Sequence, residues 1–378
     1  MLLDLTLYSV AFFAFWQIAY SLFFYQRLLF FNTQNSLDFD FRKPVSVIVA
    51  AHNELENLKI LVPLLLRQNY PEFEVIIVND RSDDDTHLFL QVEQRKDRRL
   101  KIVQIDYTPE HISHKKYAIS LGIKAALYPY LLFTDADCQP LSENWIALMA
   151  KQWQEKTDFV LGFSPYQKQK GWLNWIIRYE TFFTAIQYLS YALAGLPYMG
   201  VGRNLAYKKE VFLRNKGFNK HLKTVGGDDD LFVNDNANSQ NTAICINKEA
   251  QVLSYPKTTW SAWRTQKNRH LSVGKFYKKK HIFVLAWQNM MHSLFWFSLP
   301  CAIFGAVWAY PKIDITHWVL IGVILFRVFF WPMIQYFNTK KLKCETSYVS
   351  WWLFDCVYPF FIVFLGIKAF FSKPEQWS

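Results

Sequence analysis

The chain has 378 residues, 52% hydrophobic and 18% aromatic, which is far too apolar for a disordered protein. Its formal charge of +11 and isoelectric point near 9.2 suit an anionic membrane surface, a phosphorylated substrate or nucleic acid. Long apolar segments decide for a membrane and against nucleic acid. The five cysteines show no CxxC or Cys/His spacing, which argues against structural zinc and a disulfide framework.

The first predicted element, residues 2–25 within an N-terminal segment 1–31, is apolar with one acid near its start, and at about 1.5 Å per residue it is long enough to cross a bilayer. It has no small-residue cleavage site, so it reads as an uncleaved span. A domain over 44–280 follows. "PVSVIVAAHNE" is a β-branched apolar run ending in a turn, and Leu58, Leu61, Leu65 and Leu66 then recur at helical spacing. "FEVIIVNDRSDDDT" predicts a second buried strand, with Asp84 or Asp85 available to cap the helix "THLFLQVEQR". "LKIVQIDY" is a third strand, "KKYAISLGIKAALY" a helix and "YLLFTDAD" a fourth strand. Strands alternating with helices imply an α/β fold with a mostly parallel sheet, whose ligands bind beyond the carboxyl ends of the strands. "AAHNE", "NDRSDDD" and "DADC" all fall at those ends and are expected to line one crevice.

The aromatic stretch 171–195 is helical in pattern but interrupted by Arg178 and Glu180. A further crossing there would place the lysine-rich loop 338–345 outside, so an amphipathic helix at the membrane interface is expected. "GVGRNLAYKKEVF" (200–212) sets glycines and an exposed arginine before another strand and helix. "TVGGDDDLFVND" (224–235) reads either as an acidic helix cap or as a second acidic cluster of the crevice. Gln266 and Arg269 share a helical face at i, i+3. Three more spans are predicted at 283–309, 317–337 and 346–371, together the segment 283–371. Loop 338–345 carries three lysines and loop 310–317 one, which puts the central domain in the cytoplasm and both termini outside. "KFYKKKH" (275–281) agrees and would attract anionic lipid. Arg327 and Asp355 lie inside predicted spans, where they read as an interhelical ion pair or else as part of a transport path.

The chemistry begins with Asp135 and Asp137. On an extended strand they project to one side about 6 to 7 Å apart, and like charges that close need a cation between them. With basic residues and a second acidic cluster nearby, this suits transfer from a metal-bound diphosphate. Asp137 would hold a divalent cation, Mg or Mn given oxygen ligands and phosphate. A separate carboxylate must take the proton of the attacking hydroxyl, and Asp228, Asp229 and Asp230 are the candidates.

In these elements the chain resembles the family 2 glycosyltransferases, membrane-embedded members included, over about residues 44–280. "VSVIVAAHNE", "VNDRS", "KYAISLG", "TDAD", "GRNLAY", "GGDDD" and "QKNRH" occur in the family's order. The resemblance implies a GT-A type (Rossmann-like) domain and a nucleotide-sugar donor. It implies nucleotide contacts at Ala51, His52, Asn53 and Glu54, and at Asp80, although Asn79 replaces the first acid of the usual pair. It implies a phosphate or nucleotide contact at Lys115, seven residues before Gly122, and metal binding by the DxD pair Asp135 and Asp137. "GDDDLFVN" is similar to the "GDDR...N" pattern of hyaluronan-synthase-like enzymes, which makes Asp229 the base, whereas the "EDxDL" pattern makes it Asp228. "QKNRH" resembles the Q-x-x-R-W motif of cellulose, chitin and hyaluronan synthases and ceramide glucosyltransferase, with Gln266 and Arg269 matching and His270 in place of tryptophan. Arg269 suits a diphosphate by its fork of donors.

The expected function is inverting transfer of a sugar, from a UDP-sugar by preference, to a lipid or lipid-linked acceptor at the cytoplasmic face of the membrane. A processive polysaccharide synthase and a non-catalytic membrane scaffold are the other readings.

Overall fold

The computed structural model describes residues 2–33, 43–110, 112–308 and 314–371. It divides into two compact units, one built from Asn32–Tyr277 and the other from Met1–Phe31 with Lys278–Ser372. Half of the 310–317 loop used above for orientation, residues 310–313, lies outside the described residues. The chain opens with helix α1 (Leu2–Tyr20), a π-helical turn at Ser21–Tyr25, and α2 (Gln26–Phe30).

The central unit then alternates β1 (Val45–Ala51), α3 (Leu55–Leu66), β2 (Phe73–Asp80), α4 (Thr86–Lys96), β3 (Leu100–Ile105), α5 (His114–Ala125) and β4 (Tyr130–Phe133). It continues through β5 (Cys138–Pro140), α6 (Trp145–Ala150), β6 (Phe159–Gly162), α7 (Trp172–Leu193), β7 (Leu205–Lys208) and α8 (Lys209–Arg214). It closes with α9 (Asp230–Asn236), β8 (Thr242–Cys245), β9 (Val252–Ser254) and α10 (Trp260–Val273). Seven strands form one sheet in the order β3-β2-β1-β4-β7-β6-β8. The first four are parallel, β7 runs antiparallel to both β4 and β6, and β8 is parallel to β6. Every residue of β2 is buried, as expected of a strand covered on both faces. Gly122 sits where a Cβ would lie 2.8 Å from Ile48 and 2.9 Å from Val78, so only glycine lets α5 approach β1 and β2 this closely.

The reversal at β7 is what assembles the site. Because β7 is antiparallel to its neighbours, its beginning shares an edge of the sheet with the ends of β4 and β6. That edge gathers Thr134–Asp137, Gly202–Asn204 and Phe163–Tyr166. The small sheet β5-β9 pairs Cys138 with Ser254 just beyond it.

Helix α7 forms where expected, but it is not amphipathic along its length. From Phe182 to Ala192 nearly every side chain is buried, Tyr188 donates its hydroxyl hydrogen to the Gly162 carbonyl (2.6 Å), and Gln187 accepts from the Tyr198 hydroxyl (3.0 Å). An aromatic-rich helix enclosed by its own domain thus replaces the predicted interfacial one, leaving Trp172 exposed at its start.

The second unit adds α11 (Lys279–Trp308), α12 (Ile315–Lys341) and α13 (Tyr348–Phe371), which overlie the predicted spans except at residues 346–347, while residue 309 lies outside the described residues. Asp4–Phe30 and Ile315–Lys341 are long and apolar enough to cross a membrane, and Tyr348–Val363 is a shorter apolar stretch. Arg327 and Asp355 are fully buried and form the expected ion pair, with Nη2 to Oδ1 at 2.8 Å. Arg327 Nε donates to Gln17 Oε1 (2.9 Å), and the guanidinium carbon lies 4.3 Å from the Phe295 ring centroid. The pair therefore ties α1, α11, α12 and α13 together. Replacing either partner alone, as in Arg327→Ala, is expected to destabilise this unit by about 3–5 kcal/mol by stranding a buried charge, while Arg327→Met with Asp355→Leu recovers much of the loss. Thermal unfolding in detergent of the two single variants and the double variant checks this; equal losses in all three would contradict it.

Candidate active site

The β1–α3 turn carries Ala51, His52, Asn53 and Glu54, and it is laced to the β2–α4 turn. Asn53 has a left-handed backbone (φ 55°), its N–H donates to Ser82 Oγ (2.9 Å) and its Oδ1 accepts from Asp83 N–H (2.8 Å). His52 Nδ1 lies 2.5 Å from the Asp80 carbonyl, which can only accept, so Nδ1 carries the hydrogen. The Asp80 carboxylate is fully buried and pairs with Arg81 (2.8 Å) rather than facing the DxD pair. Asn79, in place of an acid, donates to Gln104 Oε1 (2.9 Å) and accepts from Ser82 Oγ (2.5 Å), which fixes the same turn. Glu54 turns the other way. Burial raises its carboxyl above the usual range, opposed by the Asn57 amide and assisted by the charges of Asp137 and Asp135.

Strand β4 ends at Phe133, so Asp135 and Asp137 sit on the turn that follows and not on a strand as predicted. Cys138 N–H donates to the Asp135 carbonyl (3.2 Å), and this turn brings ligand atoms of Asp135, Asp137 and Cys138 within 4.8 Å of one another. The Cys138 thiol is pushed well up by burial and by the two carboxylates, and it donates to Asp137 Oδ1 (3.4 Å) and meets Ser254 Oγ (3.0 Å). A protonated thiol leaves two carboxylates as the donors. That hard oxygen set fits Mg or Mn.

Lys115 reaches in from the first turn of α5, its Nζ 2.8 Å from Asp135 Oδ1 and 3.6 Å from Asp228 Oδ2. Burial opposes ionisation of Asp135, yet Lys115, then Arg203 and Arg269, hold its carboxyl below the usual value. Gly226 and Gly227 both take left-handed backbones (φ 79° and 78°), a run that side chains resist, and so turn the chain sharply into Asp228. Lys116 clamps the same loop from α5, its Nζ donating to the His221 and Thr224 carbonyls (2.6 and 2.8 Å).

The three successive acids take separate tasks. Asp228 faces Lys115. Asp229 caps α9, with Oδ1 accepting from Asp230 N–H (2.8 Å) and Oδ2 from Gly202 N–H (2.6 Å). Burial and the neighbouring Asp228 charge raise the Asp229 carboxyl, and Lys115 partly opposes them. Asp230 accepts from the Tyr277 hydroxyl (2.7 Å), and burial with the Asp229 charge lifts it to about 8. Lys115, Asp135, Gly202, Tyr207, Asp228 and Asp229 line one cavity.

On α10, Gln266 Nε2 donates to the Tyr166 hydroxyl (3.3 Å), and Lys267 pairs with Glu180 of α7. Arg269 is half-buried one turn on, while His270 is exposed. Two residues were not legible as site members. Arg203, predicted to be exposed, is half-buried with its guanidinium carbon 4.5 Å from the Tyr166 ring centroid. Its position follows from Asn204, fully buried, which accepts from Trp145 Nε1 (3.0 Å) and donates to the carbonyls of Phe163 (2.9 Å) and Ala250 (2.8 Å). Lys116 is the other, and the only sequence signal for it was its place beside Lys115.

A mostly parallel sheet with an acidic pair at a strand end, a lysine bridging it to a second acidic cluster, and a helix presenting Gln266 and Arg269 define a GT-A domain. Residues 46–214 match the family model described as Glycosyl transferase family 2. Over that stretch, which is less than half of its length, the chain is similar to the family 2 glycosyltransferases. The matched stretch ends before Asp228–Asp230 and Gln266–His270. The poly-beta-1,6-N-acetyl-D-glucosamine synthase of Staphylococcus epidermidis is 34% identical over 93 residues, 25% of this chain and 21% of that protein. Glycosyltransferase GlyG of Streptococcus pneumoniae is 29% identical over 129 residues, 34% of this chain and 41% of that protein. These matches thus span less than half of either relative. Among solved structures, the mannosyltransferase PcManGT from Pyrobaculum calidifontis, in complex with GDP-Man and Mn2+, superposes with a TM-score of 0.63 at 17% identity, covering 99% of this chain and all of that one.

Proposed function

We propose that the chain transfers a sugar from a nucleotide-diphosphate sugar to a hydroxyl of a lipid or lipid-linked acceptor, at the cytoplasmic face of a membrane that its helices span several times. The observation that carries this reading is Asp229, a carboxylate raised in pKa and fixed by two backbone N–H groups in the cavity that also holds Asp135 and Lys115. Each of its oxygens keeps a further lone pair, so Asp229 can accept the proton of the acceptor hydroxyl as that oxygen attacks the anomeric carbon. Asp228, which shares Lys115 with Asp135, balances charge rather than acting as base. The bond from the anomeric carbon to the β-phosphate oxygen breaks with its electrons on phosphate. One displacement with one base inverts the anomeric centre.

Asp137, with Asp135 beside it, would hold Mg or Mn, whose chemistry there is Lewis-acid neutralisation of a diphosphate. The fold neighbour solved with GDP-Man and Mn2+ is in keeping with a nucleotide sugar and a divalent cation. Membrane residence draws on the two long apolar helices and on large apolar side chains exposed along them, among them Phe12, Phe15, Trp318, Phe326 and Phe329.

The test is nucleoside diphosphate release from a panel of UDP- and GDP-sugars, with Mg or Mn, in detergent with and without total lipid extract. Lipid-dependent release giving a mono-glycosylated product is expected. A processive synthase is the second reading, favoured by Gln266 and Arg269 and by the polysaccharide synthases among the relatives. Release without lipid that accumulates polymer would establish it instead.

A further inference from the structure

Two arginines reach the acidic crevice, and they differ from Lys115 in one respect. Lys115 is committed to Asp135 and Asp228. Arg203 lowers the Asp135 carboxyl by its charge but forms no ion pair with any carboxylate among the described residues, and its Nη1 is buried without a hydrogen-bond acceptor. A buried guanidinium N–H that has lost water and gained no acceptor is unfavourable unless a ligand supplies one.

The side chain is held in place from several directions. Its neighbour Gly202 donates to Asp229, its neighbour Asn204 is pinned by three hydrogen bonds, and its face rests on the Tyr166 ring. Tyr166 also accepts from Gln266, one helical turn from Arg269, so a single tyrosine joins Arg203 to the helix that carries the second arginine. We propose that Arg203 binds the β-phosphate of the nucleotide together with Arg269, donating hydrogen bonds to the oxygens that gain charge as the bond to the sugar breaks.

The assignment rests on the transferase reading above. It favours an anion over a sugar hydroxyl because the guanidinium keeps its charge beside Asp135 and Asp137 without pairing with either, and a diphosphate supplies both the acceptor atoms and the countercharge. No proton moves to or from Arg203. The electron pair of the broken bond stays on the departing phosphate, and Arg203 stabilises it there.

The experiment is calorimetric binding of UDP, GDP, UMP and GMP, with Mn, to the full chain in detergent, for wild type, Arg203→Ala and Arg203→Lys. The expected result is a diphosphate Kd raised roughly tenfold to a hundredfold in Arg203→Ala, with monophosphate Kd unchanged and Arg203→Lys intermediate. Equal weakening of mono- and diphosphate would assign Arg203 to support of the fold and overturn the proposal. Unchanged diphosphate binding with a raised KM for donor sugar or acceptor would overturn it in favour of a sugar or acceptor contact. A wild type that binds no nucleoside diphosphate would overturn the transferase reading itself, and this assignment with it.

Discussion

Asp229→Asn is expected to lower kcat by about 10²- to 10⁴-fold, the usual contribution of a positioned general base, while nucleoside diphosphate binding is retained. Asparagine caps a helix as well as aspartate does. It offers one acceptor oxygen, however, where Gly202 N–H and Asp230 N–H each require one. A stability loss of about 1–3 kcal/mol should accompany the change from the N–H left unpaired. Turnover is measured by diphosphate release, binding by calorimetry and folding by thermal melting. The neighbouring substitution Asp228→Asn supplies the contrast. Asp228 contributes to raising Asp229, so its removal lets Asp229 ionise at lower pH. A base works only when ionised. The acidic limb of kcat should therefore lie above the ordinary carboxylate range in the wild type and move to lower pH in Asp228→Asn. Near-normal turnover in Asp229→Asn, together with collapse in Asp228→Asn, would transfer the base role to Asp228.

That the acidic cluster at 228–230 is readable reflects how directly local chemistry encodes a turn: two glycines, three acids, then an apolar helical run. The same holds for β1, β2 and β4, whose uninterrupted β-branched and apolar residues leave few alternatives to a buried parallel strand. Less was legible where partners rather than residues decide the outcome. The four residues of β7 carry no mark of direction, yet their antiparallel placement beside β4 is what sets Gly202 against Asp229. Arg203 sits in a Gly-Arg-Asn turn that reads as a surface loop, and only the three hydrogen bonds of Asn204 draw it inward. Asp135 and Asp137 lie close together, but on a turn and not on the strand that their spacing predicts, because β4 stops two residues before the first of them. Helix α7 misled by composition. Aromatic residues interrupted by Arg178 and Glu180 suggest an interface, but Glu180 is consumed by Lys267 and the aromatic side chains by the domain.

Lys115→Met separates two roles that the wild type combines, because it removes the cation and keeps the bulk. Lys115 Nζ lies 2.8 Å from Asp135 and 3.6 Å from Asp228, with 24% of its side chain exposed. Breaking a buried ion pair by removing one partner costs about 3–5 kcal/mol, and the partial exposure places this case toward the lower figure. Folding stability should fall accordingly near neutral pH. Metal binding should change in the opposite sense. With Lys115 gone, Asp135 is free to bind a divalent cation alongside Asp137, so Mn affinity should rise. Saturating Mn would then restore more stability to the variant than it adds to the wild type, and at a hundredfold excess over Kd the gain is about 2.7 kcal/mol. Turnover should nevertheless stay low. Lys115 also opposes the rise of the Asp229 carboxyl, so losing it pushes the base further up and moves the acidic limb of kcat to higher pH. Thermal melting across a Mn titration, with kcat followed against pH, reads both effects. Weaker stabilisation by Mn in the variant would mean that Lys115 orients Asp135 for the cation instead of competing with it, and the charge balance argued for this site would have to be reversed.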